Sequence, residues 1–136
     1  MTTPSNTLEE AIGIRYNESI KFTNPGFPSI KNGVLQSEDI NKVKDTRVFF
    51  TVQTSTNIKT NSASIYESNV VFNIYDRNWN DAKNVTDELE DVFDVQAFKQ
   101  FNINVIDSRQ EDNTNELIDN TRLWQFTISY VLKWQG

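Results

Sequence analysis

The stretch RLWQFTISYVLKWQ, Arg122 to Gln135, decides the fold. Its even positions are Trp124, Phe126, Ile128, Tyr130, Leu132 and Trp134. The odd positions between them are Leu123, Gln125, Thr127, Ser129, Val131 and Lys133, mostly polar. Alternation with period two over this length predicts a long strand with one apolar and one mostly polar face. Such a strand belongs to an antiparallel sheet covered on one side.

Working outward, three more strands are readable. Arg47 to Thr54 puts Val48, Phe50 and Val52 on one face, and Ser64 to Asp76 does the same with Tyr66, Val70, Phe72 and Ile74. Phe101 to Ser108 offers Phe101, Ile103 and Val105. Asn80 to Phe93 reads as a helix, because Ala82, Val85, Leu89, Val92 and Phe93 recur at helical spacing behind Asn80 as N-cap. Asn6 to Ile20 is a second amphipathic segment, with Leu8, Ala11, Ile12, Tyr16 and Ile20 on its stripe and capping-box spacing at its start. Residues 23–45 read as a surface excursion with turn signals at Asn24-Pro25-Gly26 and Asn32-Gly33 and a short helix over Ser37–Lys44. The expected fold is therefore α+β: a four-stranded antiparallel sheet with two helices on one face, in the order α-β-β-α-β-β. The 136 residues form one domain, with residues 1–45 as helix and excursion and 46–136 as sheet and second helix.

Two polar connections stand out, Ser55–Asn61 and Arg109–Asn120. Neither has enough apolar residues to pack on its own core, so both read as surface that a neighbour orders. Candidate partner-contacting residues are Thr56, Asn57, Lys59 and Asn61 in the first. In the second they are Arg109, Glu111, Asp112, Glu116, Leu117 and Ile118.

Net charge is −6, unevenly spread: residues 81–120 carry eleven acidic and three basic side chains, a net of −8. This argues against tight binding of nucleic acid, which needs a basic footprint. No apolar run approaches membrane-spanning length, and the polar start lacks the features of a signal peptide, so no membrane is expected. The absence of cysteine removes disulfides and thiolate chemistry and fits a reducing cytoplasm. With no histidine either, the common nucleophile–base pairs and zinc sites cannot be built. The four glycines form no phosphate-cradling loop. No catalytic residue, metal site or cofactor is expected. A carboxylate-dependent hydrolase would betray itself by a concave pocket with two close carboxylates, at least one of them buried.

The order and length resemble the tail terminator, or tail completion, proteins of long-tailed bacteriophages. Val70–Asp76 is similar to that family's second strand, followed by the amphipathic helix Asn80–Phe93. Arg122–Val131 resembles its arginine-led closing strand. The likeness covers residues 46–136 and, more loosely, the N-terminal helix. It implies a virion protein assembled in the host cytoplasm, in a ring of about six copies. Such a ring caps the tail tube, stops its polymerisation and joins it to the head connector protein, while DNA passes through without being held. The competing expectation, from another functional class, is a small adaptor or inhibitor that binds a host protein.

Overall fold

A computed structural model describes residues 4–21, 26–59, 64–94, 97–100, 103–118 and 121–135. Helix α1 (Pro4–Tyr16) runs into a π-helical turn, Asn17–Lys21. Strand β1 (Ile30–Asn32) and a 3-10 turn (Ser37–Lys42) follow. Then come β2 (Arg47–Lys59), β3 (Ser64–Asp76), α2 (Trp79–Phe93), β4 (Phe98–Gln100), β5 (Ile103–Leu117) and β6 (Trp124–Gln135). The strands form one sheet in the order β1-β2-β3-β6-β5-β4, curled into a half-barrel.

This corrects the four-stranded antiparallel expectation. The sheet has six strands and is mixed, because β1 runs parallel to β2 while every other pair is antiparallel. The two added strands are three residues each, too short for any periodicity to register. Of the expected loop Ser55–Asn61, residues 55–59 are strand instead: β2 pairs with β3 as far as Lys59↔Ser64. Arg109–Leu117 is likewise strand, not connection, and pairs with β6 as far as Leu117↔Trp124.

The even positions of β6 carry the main core. Phe126, Ile128, Tyr130, Leu132 and Trp134 are buried with Val70, Phe72 and Ile74 of β3 and Val48 and Phe50 of β2. Both helices close over this face. Leu8, Ala11, Ile12 and Tyr16 come from α1, and Ala82, Val85, Leu89 and Phe93 from α2. Phe72 sits at the centre, its ring 4.9 Å from Phe93 and 6.2 Å from Tyr130. The Trp134 indole N–H donates to Ser68 Oγ at 3.0 Å, so the polar edge of this buried ring has a partner.

A second, smaller core lies on the opposite face. Val43, Phe49, Tyr75 and Leu123 are buried there, with Leu35, Ile40 and Ile118 against them. The excursion is thus folded back onto the sheet. Arg77 fastens it, donating from Nε to Val43 O at 2.8 Å and from Nη2 to Ile40 O at 3.1 Å. Beside this core Asn73 Oδ1 accepts from Gln125 Nε2 at 3.0 Å and from Thr127 Oγ1 at 2.8 Å.

Helix α2 begins two residues earlier than expected, with Asn78 rather than Asn80 as N-cap. The Asn78 side chain accepts from Asp81 N, satisfying one otherwise unpaired helix donor. At the other end, no basic residue of α2 faces the C-terminal dipole. Arg15 of α1 supplies that charge instead. Its Nε and Nη2 donate to Val92 O at 3.1 and 2.7 Å, and its guanidinium lies 3.9 Å from the Phe98 ring centroid.

Candidate assembly surface

Every residue from Glu111 to Leu117 is exposed, although all belong to β5. Exposed polar residues form a strand here because β6 presents a complete ladder of backbone partners. Asp112 faces Ser129, Glu116 faces Gln125 and Leu117 faces Trp124. Two hydrogen bonds hold the end of this arm. Ile118 N donates to Leu123 O at 2.9 Å, and Thr121 Oγ1 donates to Ile118 O at 2.8 Å.

The candidate residues divide by position. Arg109, Glu111, Asp112, Glu116 and Leu117 are brought together on the exposed β5 arm, with Leu117 48% exposed. Glu111 falls at a register shift between Gln110 and Asp112. Ile118 behaves differently, half-buried against the second core. By backbone pairing Thr56, Asn57 and Lys59 stand on β2 opposite Glu67, Tyr66 and Ser64. Asn61 lies outside the described residues. The two groups occupy opposite sides of the sheet, separated by β3 and β6.

Sequence reasoning missed that both strands have largely open edges. β1 covers β2 only over Val48–Phe50, and β4 covers β5 only over Ile103–Val105. Beyond those points neither strand has a second neighbour among the described residues. No sequence signal marks this, because edge position depends on which strands pair.

The acidic stretch is partly one surface. Asn113 Nδ2 on β5 donates to Glu90 Oε1 on α2 at 2.8 Å, and Ser108 Oγ donates to Phe93 O at 2.7 Å. Burial, helped by the neighbouring Asp87 and Asp94 charges, raises the Glu90 pKa above the usual carboxylate value. Tyr130 beneath is pushed up too, chiefly by burial and secondarily by Asp94 and Glu90.

One cleft, of about 520 Å³, has walls that include Phe27, Asp45, Thr46, Asp76, Asp81 and Asn84. Asp76 is its buried carboxylate, and both its oxygens are engaged. Thr46 Oγ1 donates to Oδ2, and Asn78 N donates to Oδ1 at 2.8 Å. Asp45 and Asp81 are exposed. Asp76 therefore ties the start of β2 to the entry of α2. Among the described residues no three acidic side chains converge as a metal site, and no helix is long and apolar enough to cross a membrane.

No protein-family model matches the sequence, and no curated protein matches it. In three dimensions the chain is similar to a protein chain in the virion of a native gene transfer agent particle. The TM-score is 0.68 over 99% of this chain and 100% of that one, at 8% identity. The likeness establishes a shared fold along the full length of both chains.

Proposed function

We propose that this chain is a structural virion protein of a phage-like particle. In this reading copies assemble into a ring of about six, held by head-to-tail contacts whose rotation closes on itself. The ring caps the tail tube, stops its polymerisation and joins it to the head connector protein. The observation that carries the reading is the full-length fold likeness to a virion chain. Fold alone does not assign function, and the surface supplies the second support: two open sheet edges on opposite sides of one subunit. A capping role asks for no catalytic step and no cofactor, and an acidic surface lets DNA slide past without being gripped.

The test is direct. Purified protein is examined by native mass spectrometry over a range of concentrations, and then added to growing tail tubes. Closed rings that bind tube ends and arrest elongation are the expected result. A protein that stays monomeric and leaves elongation unchanged overturns the proposal and favours the host-directed adaptor.

A further inference from the structure

The proposed ring leaves open how one copy holds the next, and the topology offers an answer that rests on that reading. The direction of each strand follows from the pairings. β2 is antiparallel to β3, β3 to β6 and β6 to β5, so β5 runs antiparallel to β2 within one subunit. A rotation about an axis close to the strand direction preserves strand direction. The β2 edge of one copy therefore meets the β5 edge of the next in antiparallel orientation, with no inversion of the subunit. Such a head-to-tail contact uses two different surfaces, as rings require.

Charge separates the two edges. The open part of β2 carries Lys59, its covered end Arg47 and Lys31 of β1, and neither strand has an acidic residue. β5 carries Asp107, Glu111, Asp112 and Glu116 against one cation, Arg109, and β4 adds only Lys99. Unlike edges attract and like edges repel, which selects the head-to-tail join over a two-fold one.

The short strands set the register. β1 covers the start of β2 and leaves Thr51–Lys59 open. β4 covers the start of β5 and leaves Ile106–Leu117 open. Through the ladders, Tyr66 of β3 links Asn57 to the level of Trp134 and Val105, at one end of the sheet. Leu117 lies level with Trp124 and Asp76, at the other end. The open halves are thus diagonal, and joining them shifts each copy along the strand relative to the last. A constant stagger of that kind is what a closed sheet of tilted strands needs.

We infer that copies of this chain join by antiparallel pairing of the open part of β2 with the open, acidic part of β5, making one continuous sheet around the ring. Unpaired edges are otherwise a hazard that proteins cover or interrupt. The bulge-like register shifts between Val52 and Ser55, Val105 and Asp107, and Gln110 and Asp112 confine regular pairing to Ser55–Lys59 and Asp112–Leu117.

The experiment reverses charge at each edge of the full chain. Lys59→Glu alone, or Asp112→Lys with Glu116→Lys, is expected to raise the concentration needed for half-assembly by about tenfold or more. Mixing the two variants is expected to restore mixed assemblies through the swapped edge. Because the wild type lacks cysteine, Asn57→Cys with Asn115→Cys supplies a second readout in a clean background. A short bismaleimide should link neighbouring copies into a ladder ending at the ring. Rings that survive both charge variants, or that give no ladder, overturn the inference and leave the ring reading standing. A wild type that forms no ring at any concentration, even on tube ends, overturns both. Should a charge variant fail to fold, the cysteine ladder decides alone.

Discussion

Replacing Arg15 tests how the helical layer is held together. Its guanidinium gives two hydrogen bonds to a single carbonyl, Val92 O, in the last turn of α2, and lies against the Phe98 ring. Arg15→Met keeps most of the stem and removes all three interactions. Hydrogen bonds from a charged donor are worth about 1.5–3 kcal/mol. A cation at a helix C-terminus adds about 0.3–1 kcal/mol, and stacking over an aromatic ring about 0.5–1 kcal/mol. These overlap, since one charge makes them all. Moreover, burial already opposes that charge and lowers its pKa. A net loss of about 2 kcal/mol follows, with half-buried Val92 turning partly to water for its carbonyl. In urea, with a slope of about 2 kcal/mol per molar, the midpoint should fall by about 1 M. Arg15→Lys retains charge but neither the two-donor fork nor the flat stack, so its loss should be about half as large. A methionine variant within about 0.5 kcal/mol of wild type would refute the assignment.

Other expectations are more local. Ile128 is fully buried in the main core, so Ile128→Ala should cost about 2–5 kcal/mol. Ser129, on the polar face, should cost under about 1 kcal/mol on conversion to Ala; melts with the reverse order would mean that β6 is in the wrong register. Glu90 has a folded pKa raised above its ordinary 4.5, so the folded protein keeps a proton that the unfolded chain has released. Its contribution to stability is therefore present below about pH 4.5 and lost as pH rises through the raised value. Glu90→Gln should flatten that part of the stability–pH curve, and equal slopes in the two proteins would reject the explanation. Titration against duplex DNA at physiological salt should give no measurable affinity, given the net −8 of residues 81–120; submicromolar, steeply salt-dependent binding would contradict it.

How much of this was legible depended on whether a segment buries one face. β6, β3 and the start of β2 each set apolar residues against the helices at every second position, and their alternation is visible without coordinates. The β5 arm buries neither face beyond Ser108 and so resembles a loop in composition. Its strand character comes from β6, a partner distant in sequence. The same holds for β1, whose three residues are selected by the adjacent edge of β2. Residues 35–43 hold Leu35, Ile40 and Val43, spaced too irregularly for any period, yet these pack on Phe49, Tyr75 and Leu123. Arg15 carried no signal either: its value to α2 arises only because the two helices lie side by side. For the candidate surface, composition picked out two polar stretches. It was silent on their being edges, which is the property that gives them a use.

The proposed edge contact also sets how assembly would proceed. A regular segment of about five residues offers about five backbone hydrogen bonds. At about 0.5–1.5 kcal/mol net each, they total about 3–7 kcal/mol. Fixing one free subunit against another costs about 4–15 kcal/mol in lost translation and rotation. A single edge contact therefore barely offsets the cost of making it, and an isolated dimer should be scarce. Ring closure changes the balance, because the last contact forms between ends already held together at high effective concentration. Monomer and complete ring should accordingly dominate, with little between them. A surface that gathers subunits, such as a tube end, should lower the concentration at which rings appear. Native mass spectra rich in dimers and trimers would contradict this account of the contact, whereas a two-species distribution that shifts toward rings on addition of tubes is what edge pairing requires.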